Sequence, residues 1–473
     1  MSSRTHVAAR EDGIAMVLVV FLCAFLALLG VTLIEVVRGE SNRSAQQVTS
    51  GTAFQAAEAG IEDYISKIVD DRLYYVHYVH PGESTRQEPL GTTVAAGSDE
   101  IAWPYNLAWT YPNNFDHWKQ LPNGYEYSLQ IFPPVDTAGQ MRIVAMGRKQ
   151  NATTDTRMIE TIIRPSSLAD FYRVVNGDVG WGVGAITNGK IYANGDISHE
   201  GTATASVYAE GQVSELSAGD LQNGAKIYDE DDTNSNGKPD IRDQIKNPLN
   251  FSSFVTSFVD VERAAIAAGV HLDDPSKAAF KLTFKNNGTV DVQSCTQTSG
   301  QNVAARPPTC GSVSNRLIPS NGAIYVAQTA VVSGVVDGRV TVASNDNIVV
   351  ADHISYEQAG DDVLGLAAKN DLYVAWYVPD DLTWMAGVLV QDGTWQSWPN
   401  YQNSSYYDAA GDEKKSIMTF TGSSATEDGG SFTNMFTNRT YGYQQELLFL
   451  PPPWFPIVDD AYTVVLFREL PAT

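Results

Sequence analysis

The sequence predicts an α+β protein: a long N-terminal transmembrane and amphipathic helix, a small antiparallel β-meander head, then a mainly β region, a short β-solenoid with insertions. Three observations predict it. Residues 14–34 carry no charge, residues 53–70 place apolar side chains at helical spacing, and from about 165 onward short β-branched runs alternate with Asn-Gly steps. Composition sets the frame. The 473 residues hold 31 Lys and Arg against 55 Asp and Glu, a formal charge of −24. A polyanion of this size without a basic cluster is a poor partner for nucleic acid. Charged residues are 18% of the chain, below the ~25% of an average soluble domain, and apolar residues are too frequent for disorder.

The N-terminal run IAMVLVVFLCAFLALLGVTLI (14–34) follows Arg4, His6 and Arg10. As a helix it would span roughly 30 Å, the thickness of a bilayer's hydrocarbon layer, with the basic flank favouring an inside N-terminus. It is too long for a usual signal core, and no small-x-small cleavage site closes it. Beyond it, Ala57, Ile61, Tyr64, Ile65 and Ile68 fall on one helical face, with Glu58, Glu62, Asp63 and Lys67 on others. The reading is one helix over 14–70.

The leader AAREDG (8–13), the run IAMVLVVFL (14–22) and AFQAAEAGIEDYI (53–65) together resemble a type IV pilin or pseudopilin, and the AAEAGIE stretch resembles the PilX-type minor pilins. The resemblance implies a prepilin peptidase cut after Gly13 that leaves Ile14 as the mature N-terminus. It also implies inner-membrane insertion by a single pass with an exported head, and other pilins or pseudopilins as partners through the N-terminal helix. The family's major subunits carry a Glu five residues into the mature chain, where this sequence has Leu18. That departure favours a minor component over the repeating subunit. A second cleavage-like stretch, GVTLIEV (30–36), has no apolar run after it.

The segments expected are a leader (1–13), an assembly helix (14–70), a meander head (71–165) and a mainly β domain (166–473) with an insertion over 214–320. In the head, DRLYYVHYVH (71–80) reads as an aromatic patch, with His77 and His80 short of the ligands a metal needs. Runs at 124–132, 141–148 and 156–164 alternate as strands. In the β domain Ile324, Val332, Val340 and Ile348 lie eight apart, and Leu364 and Leu372 repeat the interval, which suggests stacked coils. VTSFVDVERAAIAAGV (255–270) looks helical inside the insertion, PPPWFP (451–456) is a stiff connector, and DAYTVVLFREL (460–470) is a final strand. The stretch from Asn347 to the C-terminus resembles a domain of unassigned function often attached to PilX-like N-termini; the resemblance implies β-helix-like structure and no activity.

Two sites stand out. DTNSNGKPDIRD (232–243) alternates Asp232, Asn234 and Asn236, turns at Gly237, offers the Lys238 carbonyl, and follows with Asp240 and Asp243. Such oxygens around a glycine turn suit calcium. The loop resembles those of dockerin-like and thrombospondin-type repeats, though Asn replaces Asp twice and Asp243 stands for a longer bidentate Glu, which predicts weak affinity. Cys295 and Cys310 can form one bridge in an oxidising compartment, worth roughly 3 kcal/mol; the alternative is two free buried thiols.

No nucleophile, zinc or phosphate-loop motif is present. The acidic pairs Asp361–Asp362 and Asp380–Asp381 would be the carboxylates of a polysaccharide-cleaving solenoid, but both sit at turns. TWQSWPNYQNSSYYD (394–408) could form a carbohydrate- or partner-binding ridge. The expected function is therefore a non-enzymatic minor pilin or pseudopilin of a type IV pilus or secretion-type filament. The alternative is a membrane-tethered extracellular adhesin or carbohydrate-binding module that never enters a filament.

Overall fold

The computed structural model describes residues 50–69, 115, 118–132, 140–245, 247–297, 302–397, 414–429 and 435–471. It also describes three short strands, Tyr78–Val79, Thr85–Gln87 and Thr93–Ala95, which form an antiparallel sheet in chain order. The fold has two compact units. One is drawn from Met1–Ile131, Ile143–Thr161 and Phe467–Thr473, the other from Phe132–Arg142 and Ile162–Leu466.

The first unit lays a helix over 50–69 on a sheet. The helix forms because Ala53, Ala56, Ala57, Ile61, Tyr64 and Ile68 recur on one face, and all six are buried. The sheet follows the order Ile457–Leu470, Arg157–Ser167, Met141–Lys149, Tyr125–Phe132, Lys119–Gln120. Three of these strands lie where alternation places them. The C-terminal strand, legible as a strand, joins this sheet beside Arg157–Ser167.

The expectation of an α+β fold built on one helix over 14–70 is corrected. The described chain is mostly β, and its two α-helices are the segment 50–69 and Val255–Ala268. Among the described residues, no helix is long and apolar enough to cross a membrane. The physical reason lies in the pattern itself. Ala53 to Ile68 is amphipathic, so its helix is held by burying one face on a sheet, while the alternating and β-branched runs beyond it dominate the fold. The apolar run 14–34 and the leader 1–13 lie outside the described residues.

The second unit is a stack of parallel strands. An eleven-stranded sheet forms its first wall, and every neighbouring pair is parallel. Read along the stack, the chain begins in the middle at Phe171–Val175. It runs outward through Lys190–Ala193 and Val207–Ala209 to Ile227–Tyr228, and appears at the opposite end as Val270–Leu272. It then returns through Ala323–Val326, Arg339–Ser344, Val363–Ala368 and Asp381–Val390 to Lys415–Thr426. There Ser424 pairs with Arg173 and closes the stack at a seam.

A second wall holds Ala279–Lys285, Thr329–Val336, Ile348–Tyr356, Leu372–Val374 and Trp395–Ser397 in parallel order. The eight-residue interval is the step between walls. Ile324, Val340 and Leu364 stand on the first wall, Val332, Ile348 and Leu372 on the second, and all six are fully buried between them. The stretch 214–320, expected to leave the stack and return, supplies strands at both ends of the first wall and the hairpin Ala279–Lys285/Thr289–Thr296.

The outer face of the first wall is covered as well. Tyr325, Ala343, Ala367 and Leu389 alternate with the inward residues and pack with Phe258 and Val261 of the helix Val255–Ala268 and with Leu447 and Phe455. PPPWFP lies across this face, where a Cβ on Gly365 would meet Pro452 at 2.8 Å. Arg339 donates to the Pro451 carbonyl at 3.0 Å, Trp454 Nε1 donates to the Asn321 carbonyl at 2.7 Å, and the Thr341 hydroxyl donates to the Pro453 carbonyl.

Candidate functional site

The helix–sheet contact of the first unit is set by two glycines. A Cβ on Gly147 would lie 2.0 Å from the Ala53 carbonyl oxygen and 2.6 Å from the Ala57 nitrogen. A Cβ on Gly60 would lie 2.6 Å from the Tyr127 ring. Bare backbone therefore lets the Ala53–Ala57 face settle directly on the sheet. Polar groups fix its register: Tyr127 Oη donates to Asp63 at 2.8 Å, and Lys119 Nζ pairs with Asp63 at 3.1 Å. Arg157 donates to the Ser50 hydroxyl at 2.7 Å and pairs with Glu469 at 2.9 Å. Buried Glu160 takes Arg468 from the C-terminal strand. The AAEAGIE pattern thus spends its small residues on close approach. Gly13, Ile14, Leu18, His77 and His80 lie outside the described residues.

In the loop 232–243 the side chains converge on one another. The Asp232 carboxylate accepts from the backbone N–H groups of Asn236 at 2.9 Å and Gly237 at 2.7 Å. Asn234 donates its amide to Asp240 and to Asp243, each at 2.8 Å, and Asn236 donates to Asp243 at 3.1 Å. Asn236 Oδ1 accepts from the Lys238 N–H at 2.9 Å, and Thr233 donates to Asp240. Gly237 has φ 83° and Ser235 φ 58°, the left-handed turns the motif demands. Asp240 opens a short 3-10 helix that ends at Asp243. Burial, with repulsion from Asp231 and Asp240, pushes the neighbouring Asp229 carboxyl up. Among the described residues no three His, Cys, Asp or Glu side chains are placed to hold a metal ion. In this loop the two Asn amides stand between the carboxylates.

A disulfide joins Cys295 and Cys310, directly opposed on antiparallel strands. The acidic pairs are apart in role. Asp362 is buried and caps a turn, accepting from the Gly338 N–H at 2.7 Å and the Gln358 N–H at 2.6 Å. Asp361 and Asp381 are exposed, and Asp380 lies 3.5 Å from Lys415. Trp395 is 2% exposed and packs edge-on against Trp384 and Phe420 inside the stack, so it is no surface ridge. Residues 398–408 of that stretch lie outside the described residues.

One feature escaped the sequence reading. Along the first wall, the inward column is Val270, Ile324, Val342, Leu366, Val388, Ser424, Arg173, Ile191, Val207 and Ile227. Eight positions are aliphatic, and the polar pair falls at the seam. The available signal was a lone Arg in the apolar strand FYRVV. Arg173 is 4% exposed and donates to Ser424 Oγ at 3.2 Å and to Thr426 Oγ1 at 2.9 Å. A cavity of about 900 Å³ opens beside it.

No protein-family model matches the chain, and no curated protein matches it. Among solved structures it is similar to the competence-associated pilin ComZ from Thermus thermophilus, at 11% identity and a TM-score of 0.28. The match covers 89% of this chain and 97% of that one.

Proposed function

We propose that this chain is a non-enzymatic, pilin-like component of an extracellular filament, in the manner of the PilX-type minor pilins. What supports the reading is the face Ala53–Ala57–Ile61, the stretch that carries the resemblance, lying on a sheet through Gly60 and Gly147. In this reading a prepilin peptidase cuts between Gly13 and Ile14, and the apolar segment 14–34 holds the chain at the inner membrane until assembly. Other pilins or pseudopilins are then its partners through the N-terminal segment. With Leu18 in place of a filament-pairing Glu, the chain is a minor subunit. Filaments sheared from the cell surface and probed with an antibody to the head test this. The chain is expected in the sheared fraction at a small fraction of the main subunit's level. Its complete retention with cells that do shed filaments would favour the tethered adhesin instead.

The loop 232–243 is proposed as a weak calcium site. Its donor set is oxygen-rich, and half-rotation of the Asn234 and Asn236 amides exchanges nitrogen for oxygen at each inward position. In the structure those amides hydrogen-bond to the same carboxylates that a cation would bind.

A further inference from the structure

We propose that a cavity at one corner of the stack binds a primary alkylammonium group, the charged end of a lysine side chain or of an aliphatic diamine. The site is separate from the filament reading, and either can fail without the other.

Register builds the corner. Val390 pairs with Thr426, and Thr426 with Val175, so the residues that follow them, Gln391, Glu427 and Asn176, stack on successive coils where the first wall ends. The Glu427 N–H donates to the Val390 carbonyl and the Asn176 N–H to the Thr426 carbonyl, both at 3.2 Å. The next coil holds the segment Leu249–Ser252 against them. The Asn194 amide donates to the Leu249 carbonyl at 2.7 Å, and the Leu249 N–H donates to Tyr192 Oη at 3.1 Å. This segment and the three stacked residues, with Asp392, line a cavity of about 310 Å³.

The polar groups decide the ligand. Gln391 is 2% exposed, and its Oε1 accepts no hydrogen bond. A buried acceptor left open is destabilising, and a ligand N–H in the cavity would satisfy it. Two carboxylates share the lining. Glu427 Oε1 takes the Asn176 amide at 2.7 Å, while Asp392 accepts no hydrogen bond among the described residues. Other acidic side chains along this corner are committed to its turns. Asp371 accepts from the Thr394 N–H at 3.0 Å, Asp346 from the Asn370 amide at 3.0 Å, and Asp196 from the Gln212 N–H at 2.9 Å. Among the described residues, no Lys, Arg or His lines the cavity. Two carboxylates and an open carbonyl oxygen call for a cation that carries N–H donors.

The shape of the lining decides the rest. Among the described residues no three His, Cys, Asp or Glu side chains are placed to hold a metal ion, and a bare ion would leave most of this volume unfilled. The cavity's ~310 Å³ lies at the lower end of ligand pockets, roughly 300–1,000 Å³, which suits a short aliphatic chain. Buried Leu249 and Phe251 supply apolar surface for such a stem. The three donors of one ammonium nitrogen match acceptors on three residues, Gln391, Asp392 and Glu427, whereas a planar guanidinium fork is built for a single carboxylate.

Isothermal titration of the full chain at low salt with cadaverine, Nα-acetyl-lysine methylamide and the neutral pentanediol of the same length tests the proposal. Cadaverine is expected to bind at least about tenfold tighter than the diol, the loss that missing charged hydrogen bonds bring. Binding of the lysine derivative as well would make a protein side chain the source of the ammonium, and binding of cadaverine alone would make it a free diamine. A chain of net −24 attracts any cation, so the control is charge beside the site. Asp428→Asn removes an exposed carboxylate of the same corner that is not in the lining, and should leave the affinity unchanged. Glu427→Gln keeps an acceptor for Asn176 and should weaken binding severalfold with an unchanged melting temperature. Gln391→Met removes the open acceptor and should weaken binding while the melting temperature holds or rises. If Gln391→Met does not fold, Glu427→Gln carries the test alone. Equal binding of the diol, displacement of cadaverine by equimolar calcium, equal weakening by Asp428→Asn and Glu427→Gln, a Glu427→Gln variant of unchanged affinity, or no binding of either amine would each overturn it.

Discussion

Gly147 and Gly51 belong to the same helix–sheet element, yet the same substitution acts on them in opposite directions. At Gly147 a Cβ has no room beneath the Ala53 carbonyl, while at Gly51 it meets nothing within 4 Å. Gly147→Ala is expected to cost about 1–3 kcal/mol through forced displacement of the helix. Gly51→Ala is expected to gain up to about 1 kcal/mol from helix propensity. Denaturant midpoints of the two variants should move apart; a shared direction would mean that the close contact does not exist in solution. His199 supplies a second residue-scale test. Its Nδ1 accepts from the Gly201 N–H at 3.1 Å, so Nε2 carries the proton toward the Thr187 hydroxyl, also at 3.1 Å. Burial lowers its pKa. The folded state then binds fewer protons than the unfolded chain, whose His titrates near ~6.5. Stability should be full above that value and fall as pH drops from it through the lowered native value. His199→Gln should flatten this part of the pH profile, and parallel profiles for the two proteins would contradict the assignment. The sequence shows an Arg inside FYRVV but not its meaning, because Ser424 and Thr426 reach it only through the fold.

At the scale of elements, what was legible follows from period. Buried residues at spacing three and four gave the helix face from Ala53 to Ile68, and alternation gave the strands of the head sheet. The eight-residue interval was legible too, because each coil must place an aliphatic side chain on each wall. Its pairing was not. The interval between Arg173 and Ser424 is set by everything the chain does between them, so no local pattern reports it. The same holds for the final strand, whose sequence says β and whose partner shows only in the fold, through contacts such as Glu160–Arg468 and Arg157–Glu469. The loop 232–243 shows how far a motif reaches: its turn geometry follows from Gly237, while its occupant does not. Calcium titration of the full chain should raise the melting temperature of the wild-type protein at millimolar ion. Asp232→Ala should abolish that rise. No rise in the wild-type chain would leave the loop as a hydrogen-bonded turn.

At the scale of the molecule, a sequence read as a long helix, a meander head and a solenoid-like β region gives, in the described residues, two β-rich units without the long helix. The second unit grows outward from its middle and closes at Ser424–Arg173, so its completion requires the last coil to meet the first. Closing a loop of this length is entropically costly, and the buried rings of Trp384, Trp395 and Phe420 pack against one another within the stack. The functional claim rests on the N-terminal sequence and on the buried helix face from Ala53 to Ile68. Mass spectrometry of the mature protein's N-terminus tests that claim most directly. The account predicts a chain beginning at Ile14 with a methylated amine. A chain that retains Met1, or one recovered from medium or periplasm beginning beyond Arg38, would contradict it.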